Sequence, residues 1–507
     1  MNKQNKLLFL LLGISAMTLG ACQNVPNSSS NGASLDSSTP SFSSSDNSGT
    51  SSSFSSSSSI RIDLDPLEVL EFSPWINDSY SVKAKSKDID GHLVIPSEYN
   101  GKPVKCIKMN AFQRCQLLKS VTIPSSVTLI ESEAFDLCES LESVVLNEGL
   151  ERIEYYAFDG CLSLKSIVIP DTVTFIGDSS FRDCSALESV KLGKNITRIE
   201  DYTFEGCYNL ESINIPEGVT YLGLFSLRDC GFSSISIPNT VIEINTGAFN
   251  GCQFLETIDI PASVTSLNSS AFINCFSLET INVDAKNPTY CSIDGVLFNR
   301  DQTVIMKFPS NWSKPFTFPN TVKEIGDYAF YSCSNLVSFD VPNGITSLGQ
   351  NAFSTCKFLE SITIPNSVKT IGMFCFSRDI VLKSIIIPGS VSSIEQGTFN
   401  DCWCLESVIL EEGVTKLGTT PFTWCRSLKS IVIPHSVTKL GSQALYEAFF
   451  TAIYYKGTEE EWNQIESQSE PNYTWNHSET TLYFYSETQP TSAGHFWHYV
   501  NDVVTIW

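Results

Sequence analysis

Seventeen cysteines and five histidines are the residues of this 507-residue chain best suited to chemistry. So many thiols would form a disulfide framework in an oxidising compartment, and would bind metal or do redox work in a reducing one. Zinc needs closely spaced ligands, yet Cys402-x-Cys404 is an isolated pair. His495-x-x-His498 lies in an aromatic stretch with no cysteine or carboxylate cluster beside it, and His92, His435 and His477 are scattered. The chain has no Gly-x-Ser-x-Gly elbow, no phosphate-binding glycine loop and no His-Glu-x-x-His motif. Its acidic residues fall in repeated positions or loops, not as an isolated pair poised for acid and base work. These observations point away from an enzyme and call for no cofactor and no metal. A net charge of -23 also argues against nucleic acid and against electrostatic docking on an anionic membrane.

The positions of the cysteines explain their number. Phe112, Phe135, Phe158, Phe181 and Phe204 are 23 residues apart, and the slot continues through Leu227, Phe249, Phe272, Phe330, Phe353, Phe376, Phe399 and Phe422. Three residues after each stands a cysteine, from Cys115 to Cys425, and only Asp379 breaks the column. Within the unit, a segment such as Ser166-Ile167-Val168-Ile169-Pro170 alternates with period two and is β-branched, which predicts a short strand. One unit cannot bury Leu164, Ile167, Ile169, Ile176 and Phe181 alone. Stacking units in register buries them continuously, so the expected fold is mainly β, a solenoid of 23-residue rungs with parallel strands and little helix. Parallel side-chain vectors on neighbouring rungs do not point at each other, which predicts mostly free, buried thiols in the column.

The pattern L-x-S-[IV]-x-I-P-x-x-V-T-x-I-G-x-x-A-F-x-x-C closely resembles the BspA-like leucine-rich repeat family of bacterial surface proteins over roughly residues 90–450. The stretch from Gly91 resembles that family's opening rung. The insertion from Asn287, with Asp294-Gly295 as a hairpin turn, resembles its variant repeat. Ile453-Tyr454-Tyr455-Lys456-Gly457 and the final aromatic segment, with Trp462, Trp475, Trp497 and Trp507, resemble its C-terminal module. The resulting division is an N-terminal cap region over 60–101, a solenoid over 102–450 with a variant insertion at about 284–318, and a C-terminal aromatic capping module over 451–507.

Upstream of the repeats, Lys3 and Lys6 precede an apolar run from Leu7 to Ile14, which reads as an export signal over 1–21. Leu19-Gly20-Ala21-Cys22 resembles the lipobox of bacterial lipoproteins and implies a diacylated Cys22 as lipid anchor. Of the 33 residues from Asn27 to Ser59, 19 are serine, so 22–59 is expected to be a lipidated, disordered tether. The chain is then exported and held at the bacterial cell surface, with the membrane reached through the lipid.

Function must lie where the repeat varies. Ser120, Ser143, Ser166 and their equivalents form a constant outward column on the strands, flanked by residues of alternating sign such as Lys119, Glu142, Lys165 and Glu188. The next outward column varies. Its middle is polar, with Lys191, Asn214, Asp259, Asn282 and Asp340, and Thr317 occupies the same column in the variant repeat. Near its C-terminal end Ile386, Ile409 and Val432 predict an exposed apolar stripe. β-Branched residues chosen for strand propensity alone would account for that stripe equally. The family resemblance implies adhesion, with host extracellular-matrix proteins, mucosal glycoproteins or other microbial surfaces as partners. An envelope scaffold without a host ligand is the alternative.

Overall fold

The computed structural model describes residues 64–446, 448–467 and 480–507. The expected signal peptide, Cys22 and the serine-rich tether lie outside these residues, as do Trp475 and His477.

The rung that begins at Ala157 shows how the unit works. Ser166–Val168 is a strand with Ile167 buried and its neighbours exposed, and it pairs in parallel with Ser189–Lys191, which pairs with Ser212–Asn214. Pro170 stops this strand because it has no N–H to donate to a ladder. A turn leads to a two-residue strand, Phe175–Ile176, in parallel register with Arg152–Ile153. The chain then arches back across the core, placing Phe181 at the centre, fully buried. Successive phenylalanine rings lie flat on one another, as in Phe135 on Phe158 at 5.1 Å and 2° and Phe376 on Phe399 at 5.6 Å and 9°.

The arch has a backbone of its own. Tyr156, two residues before Phe158, and Gly160, two after it, are both left-handed, with φ of 57° and 66°. The pair recurs from Asn110 and Arg114 to Thr420 and Trp424. This alternation turns every second N–H toward the following rung: Tyr156 donates to the Asp178 carbonyl, Phe158 to Ser180 and Gly160 to Arg182, at 2.8–3.1 Å. Left-handed backbone costs a non-glycine residue about 1–2 kcal/mol. Leaving a buried N–H unpaired costs about as much or more, so the arch keeps its hydrogen bonds and accepts the strain.

The cysteine column closes the arch. After the first rung, where Cys115 donates to the Ser86 carbonyl, the thiols donate to the carbonyl of the phenylalanine slot one rung earlier: Cys138 Sγ to Phe112 at 3.1 Å, Cys184 to Phe158 at 3.2 Å, Cys252 to Leu227 at 3.1 Å and Cys425 to Phe399 at 3.0 Å. Burial pushes the Cys161, Cys230 and Cys252 thiols well above their usual range, and Cys115, at the first rung, stands at about 11. Asp379, where the column lacks its cysteine, is buried. Its Oδ1 accepts the Cys356 N–H at 2.8 Å, and its Oδ2 has no partner among the described residues. Burial raises its carboxyl well above the carboxylate range.

The insertion divides the array. Tyr290–Ile293 and Val296–Asn299 form an antiparallel hairpin around Asp294-Gly295, with φ of 50° and 89°, as the sequence predicts. The hydrophobic core separates here into one cluster reaching Leu297 and a second beginning at Val296. Thr317 lies in no strand, so the variable column is interrupted. Phe308 takes up the phenylalanine ladder instead, stacking on Phe330 at 4.7 Å and 19°. Beside it Lys307 is fully buried, and its Nζ donates to the Tyr328 and Tyr331 carbonyls at 3.2 and 3.1 Å. Alternate arch carbonyls, such as those of Asp178, Ser180 and Arg182, face the preceding rung. Where the ladder restarts, a buried ammonium supplies the missing donors. At the first rung the exposed Lys87 Nζ donates to the Gln113 carbonyl.

Helix is confined to Pro66–Val69, Glu459–Trp462 and one 3-10 turn among the described residues. At the N-terminal end Leu70–Trp75 and Ser79–Ala84 form an antiparallel pair that joins Lys102–Ile107. At the other end Ala452–Tyr455, Thr481–Tyr485 and Phe496–Val500 extend the strand face in parallel, and Val503–Ile506 folds back antiparallel. Trp462 and Trp497 are buried there, whereas Trp507 is exposed.

The strand face as candidate binding site

The repeat positions the strand face by burying every second residue. Ile167, Val190, Ile258 and Ile385 point into the core, which turns the residues between them to solvent. The constant serines are outward except Ser120, which is covered by His92 of the preceding rung, Nδ1 to Oγ at 2.6 Å. The flanking residues of alternating sign, Lys119 to Glu188, form no ion pairs among the described residues. Fully hydrated side chains gain little from pairing at this exposure. Cross-rung ion pairs do form on the arches, as in Arg182 with Asp159 at 2.7 Å and Arg228 with Glu205 at 2.9 Å.

The structure arranges the variable residues as two polar pairs, a separate Asp340 and one apolar line. Lys191 and Asn214 are register partners and exposed. Asp259 and Asn282 are also partners, and the Asn282 amide donates to Asp259 Oδ1 at 2.8 Å. Asp340, beyond the insertion, pairs with Thr363 and belongs to a separate stretch of sheet. Ile386, Ile409 and Val432 form one continuous line.

Their exposure declines along that line. Ile386 is 52% exposed and Ile409 half-buried, but Val432 is 3% exposed, which corrects the expectation of an exposed stripe at that position. The physical reason is the adjacent strand: Val432 is in register with Tyr454, whose far larger side chain covers the isopropyl group. Tyr454 is in turn in register with Tyr483, their rings stacked at 5.3 Å, with Trp497 edge-on to Tyr454 at 5.6 Å. The aliphatic stripe therefore runs into an aromatic one. Sequence reasoning missed Tyr454 and Tyr483. The signal was present, because Ala452-Ile453-Tyr454-Tyr455 alternates in the same phase as Ser430-Ile431-Val432-Ile433.

Among the described residues the arrangement offers wide, shallow contact. The family model described as "BspA type Leucine rich repeat region (6 copies)" matches residues 105–231, 222–315, 307–425 and 394–469. The chain belongs to the BspA-type leucine-rich repeat family. A crystal structure of a leucine-rich cell surface protein from Faecalibacterium prausnitzii is similar, with 27% identity and a TM-score of 0.53. That similarity covers 79% of this chain and 97% of the other. A leucine-rich repeat protein from Eubacterium ventriosum shares the fold, at 21% identity and a TM-score of 0.50 over 75% of this chain and 93% of the other. No curated protein matches the sequence. BspA-type relatives are bacterial surface proteins, and leucine-rich repeat solenoids of this kind generally serve as non-enzymatic scaffolds that bind other proteins.

Proposed function

We propose that this chain is a surface-displayed adhesion protein. A lipid on Cys22 and the serine-rich tether hold it at the bacterial surface, and the strand face of its BspA-type array contacts the partner. The observation that carries this reading is the contrast between columns. The core columns repeat almost without change for thirteen copies, while the outward column changes from Lys191 and Asn214 to Ile386 and Ile409. Nothing in the packing requires that variation. The partners proposed are host extracellular-matrix proteins, mucosal glycoproteins or the surfaces of other microbes. Lys191, Asn214, Asp259, Asn282 and Asp340 supply polar contacts, and Ile386, Ile409 and the edge of Val432 supply the apolar end. The terminal segments are proposed to cap the array, because the end rungs of a solenoid must be covered.

The test is to present the purified chain to matrix proteins, to mucin-type glycans and to the envelope of the producing cell. Saturable binding to the first or second supports adhesion. Binding confined to the cell's own envelope would replace it with an envelope scaffold.

A further inference from the structure

The interruption at residues 308–318 leaves a cavity of about 660 Å3 beside the strand Ser338–Asp340. Its walls are aromatic. Phe308, Trp312, Phe316 and Phe339 line it, with Phe308 meeting Phe316 at 86° and Trp312 meeting Phe316 at 90°. Edge-to-face clusters of this kind readily accept a further ring, because each exposed face or edge carries the complementary partial charge. One wall holds Ser310, 1% exposed, whose hydroxyl has no hydrogen-bond partner. Buried hydroxyls are almost always paired, so an orphan facing a cavity marks a place where a polar atom is expected. Lys314 and Asp340, both exposed, stand at the rim without an ion pair among the described residues.

The geometry points to a pocket for an aromatic side chain with a polar tip, a tyrosine or tryptophan carried on an extended segment of a protein partner. The ring enters the aromatic cluster and the phenol or indole group reaches the Ser310 hydroxyl. Lys314 and Asp340 flank the polar main chain on either side of that residue. The volume fits a ring with its adjoining backbone and falls within the usual range for binding pockets. A protein partner is favoured over a free small molecule because Asp340 belongs to the same outward column as the rest of the strand face. The inference rests on the adhesion reading and gives it an anchor, since single buried aromatics dominate many interfaces.

The full chain, labelled with 5-fluorotryptophan, is titrated with N-acetyl-L-tyrosinamide and N-acetyl-L-phenylalaninamide while the fluorine resonance of Trp312, assigned through Trp312→Phe, is followed. The tyrosine probe should shift that resonance saturably, and the phenylalanine probe should bind about 3- to 10-fold more weakly, as expected for one neutral hydrogen bond. Ser310→Ala should bring the tyrosine probe down to the phenylalanine level and leave the latter unchanged. No shift with either probe, equal affinity for the two, or an unaltered preference in Ser310→Ala would each overturn the assignment. A positive matrix or glycan screen with a silent pocket removes only the pocket; a shifted Trp312 with a negative screen removes only the adhesion reading.

Discussion

In the regular rungs the central phenylalanines lie parallel within 15° at 4.9–5.7 Å, whereas Phe308, Trp312 and Phe318 meet Phe316 at 84–90° and Phe298 lies against it at 23°. Translation by one rung forces identical residues into identical orientations, and flat stacking leaves no space between them. Where the unit departs from 23 residues, rings from different positions meet, orient freely and enclose a cavity. Regularity gives this molecule its stability; the one irregular rung gives it an inside.

The largest expected effect tests the regular half of that contrast. Phe181→Ala should cost about 3–5 kcal/mol in chemical denaturation, as for other fully buried aromatic truncations. Phe316→Ala, in the half-buried junction, should cost only about 1–2 kcal/mol. Equal losses would erase the distinction. Next, Lys307→Met leaves the Tyr331 carbonyl without a donor and the Tyr328 carbonyl with only the Tyr331 N–H, at about 1–3 kcal/mol in all. The damage should be local, appearing as faster amide exchange around residues 328–333 while rungs 158–204 stay protected.

A third variant uses the buried Asp379. Its folded pKa is raised above the unfolded value of about 3.9, so its stabilising contribution is complete below that value and is lost as pH rises through the folded pKa. Asp379→Cys removes that loss. Its advantage over the parent should therefore grow from about pH 4 upward, by about 1.4 kcal/mol per pH unit until the folded pKa is passed. A pH-independent difference between the two proteins would show that the carboxyl is not held neutral. The smallest effect on stability should come from Ile386→Asp with Ile409→Asp, within about 1 kcal/mol because these side chains face solvent. The same pair should abolish partner binding in a solid-phase assay, and unchanged affinity would remove the stripe from the binding face.

Much of this architecture is legible in the sequence because its unit repeats. The phenylalanine and cysteine columns, the alternation of Ser166-Ile167-Val168 and the Asp294-Gly295 hairpin all follow from spacing and residue type. The arch backbone does not. Its left-handed positions hold Tyr156, Phe225, Thr355 and Trp424 as readily as Gly160, so no local propensity marks them; the requirement comes from the hydrogen bonds to the next rung. Phe308 escaped the column because Lys307 and Pro309 replace the residues that normally flank the ring, although it stands 22 residues before Phe330, the same step as Leu227 to Phe249. Val432 is misread for a related reason. Its burial depends on Tyr454, a residue outside the repeat that enters the same ladder.

The thiol ladder carries a further consequence, one of timing. Every thiol of the column is buried, and burial holds Cys333 at about 11, so the folded column is protected from oxidants. The unfolded chain is the opposite: it offers a dozen equivalent, ordinary thiols, any two of which can pair wrongly. The fate of these cysteines is therefore settled by a race between rung closure and oxidation, before the finished molecule's own redox stability matters. Contacts between residues only 23 positions apart let each rung close on its neighbour early, and so keep that interval short.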